Sequence, residues 1–201
     1  DTWRDPVTGM EFVWVPEGCF QMGQSESEKE WLIKTYGREK YDKYWNDETP
    51  RHQVCLSGFW MAKTEVTRGM FRKFIKATGY RTDADKLGKA FVFYESSSGW
   101  KWEERSGYNW EKAGYSQTDS HPVVNVSWND VQAFVSWVNS QSSGIVFRLP
   151  SEAQWEYACR GNNSAMRYWG DQNACQFANV AAKGGKFNWD LSFDCKDGFD
   201  F

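Results

Sequence analysis

Acidic residues gather near the C-terminal end of the sequence. Asp190, Asp194, Asp197 and Asp200 follow one another closely, and Gly198 between them permits a sharp turn. A hard cation such as Ca²⁺ takes several oxygen ligands from a flexible loop, so this cluster is a candidate calcium site. Its spacing does not match an EF-hand loop, and a solvated acidic segment is the competing interpretation.

The two histidines offer little material for catalysis or metal binding. His52 and His121 stand far apart, each beside a proline turn, which disfavours a histidine-rich metal site and a Ser-His-Asp triad. We expect each ring to hydrogen-bond to nearby backbone. The signatures G-x-x-x-x-G-K-[ST], G-x-S-x-G and H-E-x-x-H are also absent, which disfavours nucleotide hydrolysis and the common hydrolase mechanisms.

The cysteines are spread widely and contain no C-x-x-C pair, which excludes a zinc ribbon and a thioredoxin-type redox motif. There are five: Cys19, Cys55, Cys159, Cys175 and Cys195. Because the count is odd, at least one is free or pairs with a group outside this chain.

Composition favours one α+β domain over residues 1–201, since this length fills one sizeable hydrophobic core and is short for two. Aromatic residues make up 18%, so the core should be built around large rings. A net charge of −3 provides no basic field, and we expect no nucleic-acid partner. The longest apolar runs, residues 12–15 and 90–94, are too short to span a membrane.

The elements before residue 80 are predicted as strands followed by helices. Alternation indicates strands over residues 11–16 and 20–23, joined as a hairpin by a turn, and a further strand over 52–63. The capping-box pattern Ser27-Glu28-Lys29-Glu30 predicts a surface helix between them. Helical spacing then predicts a core helix over residues 64–78, ended by Gly79.

The later elements are predicted from loop composition and capping motifs. Residues 80–120, rich in Gly, Ser and charge with interleaved aromatic rings, are predicted as long ordered loops suited to binding. Short strands are expected over residues 123–126 and 145–149. Ser127 and Ser151 each open a helix by the same capping logic.

Six motifs occur in a fixed order along the chain. They are Gln21-Met22-Gly23, Asp47-Glu48-Thr49-Pro50-Arg51-His52-Gln53-Val54, Glu65-Val66-Thr67, His121-Pro122-Val123-Val124, Val126-Ser127-Trp128-Asn129-Asp130 and Phe147-Arg148-Leu149-Pro150-Ser151-Glu152-Ala153-Gln154-Trp155-Glu156-Tyr157-Ala158. Each is short, but the ordered set is specific. With these motifs the chain resembles the formylglycine-generating enzyme family, also called sulfatase-modifying factors, from about Thr8 to Phe201.

The resemblance implies an α+β fold related to C-type lectins, with long loops and little regular secondary structure. It also implies a structural calcium ion in the loop after the last of the six motifs. The ligands it implies are the side chains of Asn179 and Asp197 and the backbone carbonyls of Val180 and Phe199. This set overlaps the acidic cluster.

The family's copper-binding cysteine pair has no counterpart in the sequence. In active members that pair lies in an arginine-flanked G-G-S-W…C…C-R segment near the C-terminal end, and we expect it beyond Phe201. No catalytic residue is therefore assigned in this chain, and copper is expected only if that segment is present. Cys159 matches a family cysteine whose partner is also expected beyond Phe201.

The resemblance leaves two functions open. The first is an oxidoreductase that converts a cysteine of a protein or peptide substrate, in a C-x-P-x-R context, to formylglycine. The second is a non-catalytic, lectin-like module that binds a peptide, glycan or partner domain, as in bacterial members that accompany kinases or proteases. A related group with a histidine-rich iron site is disfavoured, because no H-x-x-x-H-x-E set is present.

Overall fold

The computed structural model describes residues 1–97, 99–161, 163, 165, 167–170, 174–178 and 195. This part of the chain mixes helices with small antiparallel sheets, so the predicted α+β class is confirmed. The helices are α1 (Glu26–Tyr36), α2 (Arg38–Tyr44), α3 (Arg68–Thr78), α4 (Asp83–Leu87), α5 (Trp128–Gln141) and α6 (Glu152–Arg160). The strands are β1 (Thr2–Arg4), β2 (Glu11–Val15), β3 (Gly18–Met22), β4 (His52–Leu56), β5 (Phe59–Ala62), β6 (Lys89–Ser96) and β7 (Gly99–Ser106). Short 3₁₀ turns cover Asn46–Glu48 and Ala174–Gln176.

The chain forms two compact units. The first comprises Asp1–Val13 and Trp60–Leu149, and the second comprises Trp14–Phe59 with the described residues from Pro150 onward. Whether they act as the single domain expected from chain length stays a prediction. Within the described ranges, every helix is too short or too polar to cross a bilayer.

The strand pairing differs from the predicted hairpin of residues 11–16 with 20–23. Strand β2 lies between β1 and β5, whereas β3 pairs with β4, the strand that begins at His52. The predicted strand over 52–63 is in fact two strands, β4 and β5. Alternation indicates that a segment is extended, but it does not identify the segment that completes its hydrogen bonds.

The core of the first unit is aromatic, as composition predicts. Phe71 and Phe74 of α3 meet Phe134 of α5 and Trp110, with the rings of Phe71 and Phe134 stacked at 6.0 Å between centroids. Helix α3 begins at Arg68, later than expected, because the Thr67 hydroxyl accepts from the backbone N–H of Met70 and caps it there.

The prediction of long loops over residues 80–120 is wrong for its first part, which holds α4 and the β6–β7 hairpin. In this hairpin, eight residue pairs lie opposite each other across the two strands, from Lys89↔Ser106 to Ser96↔Gly99. The hairpin carries charges and aromatic rings on both faces, so its sequence lacks the clean polar alternation of a half-buried strand.

The strands predicted over residues 123–126 and 145–149 are also absent from the described structure. In place of the expected ladders, the backbone bonds to a side chain near residue 147 and forms one isolated bridge, Thr67↔Pro122. The Asn139 amide donates to the carbonyl of Phe147 at 2.9 Å and accepts from its N–H at 2.7 Å. The N–H of Val123 donates to the carbonyl of Val66. These contacts satisfy extended backbone without a neighbouring strand.

The second unit is built on the packing of β3 against α6. The rings of Phe20 and Tyr157 lie 5.3 Å apart, and Gly18 leaves room for the Tyr157 hydroxyl. Helix α1 forms as predicted, but its cap is Ser25 with Glu28 instead of Ser27 with Glu30. Both boxes fit the pattern, and the earlier one starts the helix.

Candidate functional site

The four predicted calcium ligands, Asn179, Val180, Asp197 and Phe199, lie outside the described residues. The acidic residues Asp190, Asp194 and Asp200 lie outside them as well. Within the described ranges, no group of three or more His, Cys, Asp or Glu residues is placed to hold a metal ion. The calcium site therefore remains a prediction.

A disulfide joins the chain close to both predicted ligand segments. Cys175 is bonded to Cys195, with their Cα atoms 6.0 Å apart. In sequence, Cys175 shortly precedes Asn179 and Cys195 shortly precedes Asp197. The bond thereby shortens the covalent path between the two halves of the predicted ligand set.

Aromatic rings surround Cys175 in sequence. Trp169 and Phe177 stack with centroids 6.2 Å apart and planes 5° from parallel, and Tyr168 packs edge-on against Trp169. The Tyr168 hydroxyl donates to the carbonyl of Phe177 at 2.7 Å. These contacts join Tyr168 and Trp169 to Phe177, which shortly precedes Asn179 in sequence.

Three of the family-like motifs converge in the second unit. We call their polar cluster the Glu156 network: Gly23, Gln24, Glu28, Glu48, Arg51, Glu156 and Arg160. The backbone N–H of Gly23 donates to Glu156 at 3.0 Å, and Arg160 donates to the Gly23 carbonyl at 3.1 Å. Arg160 also pairs with Glu156 at 2.7 Å, with side chains 15% and 22% exposed. The Glu156–Arg160 ion pair therefore hydrogen-bonds to both the N–H and the carbonyl of Gly23, which is distant in sequence.

The glycine at position 23 is required by two constraints. Its φ of +86° lies in the region that disfavours L side chains. A Cβ there would also lie 2.5 Å from the carbonyl oxygen of Glu48. That carbonyl accepts from the backbone N–H of Gln24 at 2.7 Å. Gln-Met-Gly is therefore a packing motif against the turn that carries Glu48.

Two glutamates of the network have pKa values shifted in opposite directions. Burial disfavours the charge of Glu28, but hydrogen bonds from Ser25 and the charges of Arg51 and Arg160 outweigh it and lower its pKa. Burial raises the pKa of Glu48, and the negative charges of Asp47, Glu156 and Glu28 act in the same direction, against Arg160. Of these two glutamates, Glu48 is therefore the more readily protonated.

A second polar cluster, the Asp130 network, lies in the first unit and comprises Tyr80, Asp83, Ser127, Asn129 and Asp130. Asp130 is fully buried. Its carboxylate accepts from the Tyr80 hydroxyl, the N–H of Asp83 and the N–H of Ser127, at 2.8–3.0 Å. Ser127 donates its hydroxyl to Asp83 at 2.6 Å. The carboxylate ties the beginnings of α4 and α5 together, which is a structural role.

All five cysteines are described, and four of them form disulfides. The bonds are Cys19–Cys55 and Cys175–Cys195, and Cys159 is an exposed free thiol. Cu(I) in a cysteine site is held by soft thiolates. The chain in this oxidation state offers one thiol, so its cysteines do not fit the family's copper centre.

Both histidines have the backbone contacts expected of turn residues. Nδ1 of His52 lies 3.0 Å from the carbonyl oxygen of Pro50. Nδ1 of His121 accepts from the backbone N–H of Thr118 at 3.0 Å. Among the described residues, neither ring belongs to a group of three or more His, Cys, Asp or Glu residues placed to hold a metal ion.

An exposed aromatic surface lies on the β6–β7 hairpin, where loops and not paired strands were predicted. Phe91 and Trp102 are 63% and 54% exposed, and their rings stack with planes 14° apart. Phe93, which is directly opposite Trp102 in the ladder, also stacks with it at 5.1 Å between ring centroids. We call these three residues the hairpin face. The available signal was Phe-x-Phe followed by Trp-x-Trp on either side of a serine- and glycine-rich turn.

Comparison with known proteins identifies the family. Residues 2–198 match the model of the sulfatase-modifying factor enzyme 1-like domain. The formylglycine-generating enzyme of Streptomyces coelicolor is 39% identical over 144 residues, which cover 62% of this chain and 43% of that protein. The bovine protein named inactive C-alpha-formylglycine-generating enzyme 2 is 30% identical over 179 residues, covering 80% of this chain and 52% of that one.

A solved structure has the same fold. The structure of PvdO from Pseudomonas aeruginosa superposes with a TM-score of 0.61 at 23% identity, covering 100% of this chain and 64% of that one. The chain spans about half the length of the curated relatives it matches. The match to the family model over nearly every residue shows that the chain belongs to the sulfatase-modifying factor enzyme 1-like family.

Proposed function

We propose that this chain is the scaffold of a formylglycine-generating protein, which oxidises a cysteine of a protein substrate when another region supplies the copper-binding cysteine pair. The observation that carries the proposal is the convergence of family motifs on the Glu156 network. Gly23, Glu48 and Glu156 come from three separate motifs: the N–H of Gly23 donates to Glu156, and the carbonyl of Glu48 accepts from the N–H of the next residue, Gln24. Motifs that pack together in this way define the fold that positions a site.

The cysteines define what this chain contributes to that activity. Copper bound by two thiolates would supply the oxidation chemistry, but the disulfides leave only Cys159 as a thiol. We assign no catalytic step to the described residues. Their part is to hold the fold and the surface on which a protein substrate binds.

A structural Ca²⁺ ion belongs to the same proposal. The side chains of Asn179 and Asp197 and the carbonyls of Val180 and Phe199 form an all-oxygen donor set, which suits a hard cation that takes six to eight ligands. The Cys175–Cys195 bond supports the assignment because it lies close in sequence to both ligand segments. The ion would hold these segments together and would take no part in oxidation.

Calcium-dependent thermal melts test the ion. We expect the melting temperature of the unmutated chain to rise with calcium and to fall in EDTA, because a ligand that binds the folded state stabilises it. Asp197→Ala should lose the response, whereas the matched variant Asp190→Ala should keep most of it. An unmutated chain that ignores calcium, or an Asp197→Ala chain that responds normally, would rule out this ligand set.

Turnover of a peptide tests the activity. The 201-residue chain, supplied with copper and oxygen, should leave a C-x-P-x-R peptide unchanged by mass spectrometry. A protein in which the same chain is joined to an arginine-flanked segment with two cysteines should convert the peptide cysteine to an aldehyde. Conversion by the chain alone, or no conversion by the joined protein, would contradict the proposal.

A non-catalytic binding module is the second candidate, and two observations favour it. One relative with 30% identity carries the word inactive in its name. The hairpin face also presents stacked rings to solvent, as binding surfaces do. This function predicts that Phe91→Ser with Trp102→Ser abolishes binding of a peptide, glycan or partner domain. It also predicts that the joined protein is without turnover.

A further inference from the structure

We propose that the Cys19–Cys55 disulfide is a reversible thiol–disulfide exchange site on the surface of the second unit, open to dithiol reductants. The other disulfide, Cys175–Cys195, has a structural role and resists the same reductants. Neither role follows from the function proposed above, and each can be tested separately from it.

The first support is the position of the bond on the sheet. Cys19 of β3 and Cys55 of β4 are directly opposed, and their neighbours on the same face are the opposed pair Gln21 and Gln53. All four residues are exposed. A reductant can therefore approach either sulfur without opening the fold.

The second support is that the opposite face of the sheet carries the packing. Phe20 of β3 contacts Tyr157 of α6, and Phe20 is paired across the ladder with Val54. Five residue pairs, from Gly18↔Leu56 to Met22↔His52, hold the strands in register by their backbone. We infer that the strands stay paired after reduction, so that the two thiols remain opposed and can close again.

The third support is the contrast with the second bond. Cys175 is only 9% exposed in the 3₁₀ turn Ala174–Gln176 and its partner Cys195 is half-buried, whereas Cys19 and Cys55 are both exposed. Exchange requires a thiolate to approach a sulfur in line with the bond, so burial slows it. One chain thus holds an accessible and a protected disulfide.

The exchange is balanced by the reductant. A thiolate of the dithiol attacks one sulfur of the Cys19–Cys55 bond, giving a mixed disulfide and releasing the other cysteine as a thiolate. The second thiol of the reductant then attacks the mixed disulfide and becomes part of an internal disulfide. Two electrons and two protons pass from the dithiol to Cys19 and Cys55.

The site has a structural readout. The bond closes a segment with a sequence separation of 36 that includes α1, α2 and the Glu48 turn of the Glu156 network. Reduction lengthens the covalent connection of this segment to the sheet while the backbone ladder remains. The redox state of the pair would therefore tune the segment's local opening.

Differential alkylation of the native chain tests the proposal. Exposed Cys159 is first blocked with one alkylating reagent, the protein is then treated with dithiothreitol without denaturant, and new thiols are trapped with a second reagent. Peptide mass spectrometry should show label at Cys19 and Cys55 at least about tenfold faster than at Cys175 and Cys195. Exchange of the reductant for excess oxidised dithiothreitol before trapping should restore the bond, because that disulfide takes back the two electrons and two protons.

A double variant separates exchange from unfolding. Cys19→Ser with Cys55→Ser should keep the circular dichroism spectrum and the cooperative melt of the unmutated chain, with faster hydrogen exchange in residues 24–51. Equal labelling of the two disulfides would overturn the proposal. A double variant that fails to fold would also overturn it, because the bond would then be needed to hold the strands.

Discussion

The Asp130 and Glu156 networks join distant parts of the chain in different ways. Asp130 is a single buried carboxylate whose partners are a hydroxyl and two backbone N–H groups at the starts of two helices. The Glu156 network has several charges of both signs on partly exposed side chains. The Asp130 network is held by hydrogen bonds from neutral donors to one carboxylate. The Glu156 network is held by attraction between opposite charges.

The difference predicts distinct responses to change. Removing the buried acceptor leaves three half-buried donors without that acceptor, and each unsatisfied buried donor costs about 1–3 kcal/mol. In the charged network, solvent screens the remaining partners and proton binding compensates, so individual charges matter less. Backbone geometry at Gly23 is the exception, because water cannot relieve a steric clash.

Asp130→Ala should give the largest loss. Tyr80, Asp83 and Ser127 would each lose an acceptor, and we expect the free energy of unfolding in urea at neutral pH to fall by about 4 kcal/mol. The matched control is Asn129→Ala, since Asn129 is exposed and donates to Asp83 at 3.2 Å. Equal, small losses in the two variants would show that Asp130 is not the organising group.

Gly23→Ala should rank second, with a loss of about 2–3 kcal/mol from positive φ and the clash with Glu48 combined. Gly161→Ala is the control, because Gly161 has a φ of +57° but open space where a Cβ would stand. We expect about 1 kcal/mol there, from backbone conformation alone. The same urea titration measures both, and a loss no greater at Gly23 would contradict the close approach.

Glu48→Gln should give the smallest effect, and one that depends on pH. The pKa of Glu48 is raised in the folded state, so between about 4.5 and the raised value the folded state holds more protons than the unfolded state. Stability therefore falls as pH rises through that window. The variant lacks this loss and should gain on the unmutated chain above the window, by less than about 1 kcal/mol.

Glu28→Gln serves as the opposite case. The pKa of Glu28 is lowered, so its contribution is present above the ordinary carboxylate value and is lost as pH falls through the lowered one. The variant should therefore be less stable than the unmutated chain at neutral pH and equal to it in acid. Melting temperatures across the acid-to-neutral range would show parallel curves for both variants if the network did not shift these groups.

Helices were predictable from sequence where a short capping motif encodes them. The boxes at Ser127 and Ser151 start α5 and α6 as predicted, because the hydrogen bonds that define them join residues three apart. Gly79 ends α3 for a similarly local reason. The α+β class and the family followed from such motifs.

Pairing between distant segments was not predictable. Strand β3 pairs with β4, which no local pattern of residues 11–23 indicates, and the cross-strand Cys19–Cys55 bond followed from that register. The contacts of Glu156 with Gly23 depend on the same tertiary arrangement. The calcium ligands rest on resemblance and stay a prediction, since they lie outside the described residues.

A count of free thiols decides whether the chain's cysteines can form a copper centre. The protein, purified without reductant and unfolded in guanidinium, should react with a thiol reagent at one cysteine per chain, Cys159, and at all five after reduction. This result would leave the copper-binding pair to another region, as proposed. Three or more reactive thiols in protein first equilibrated with oxidised dithiothreitol, which would close the Cys19–Cys55 bond, would contradict the assignment, because the chain would then contain a stable thiol pair of its own.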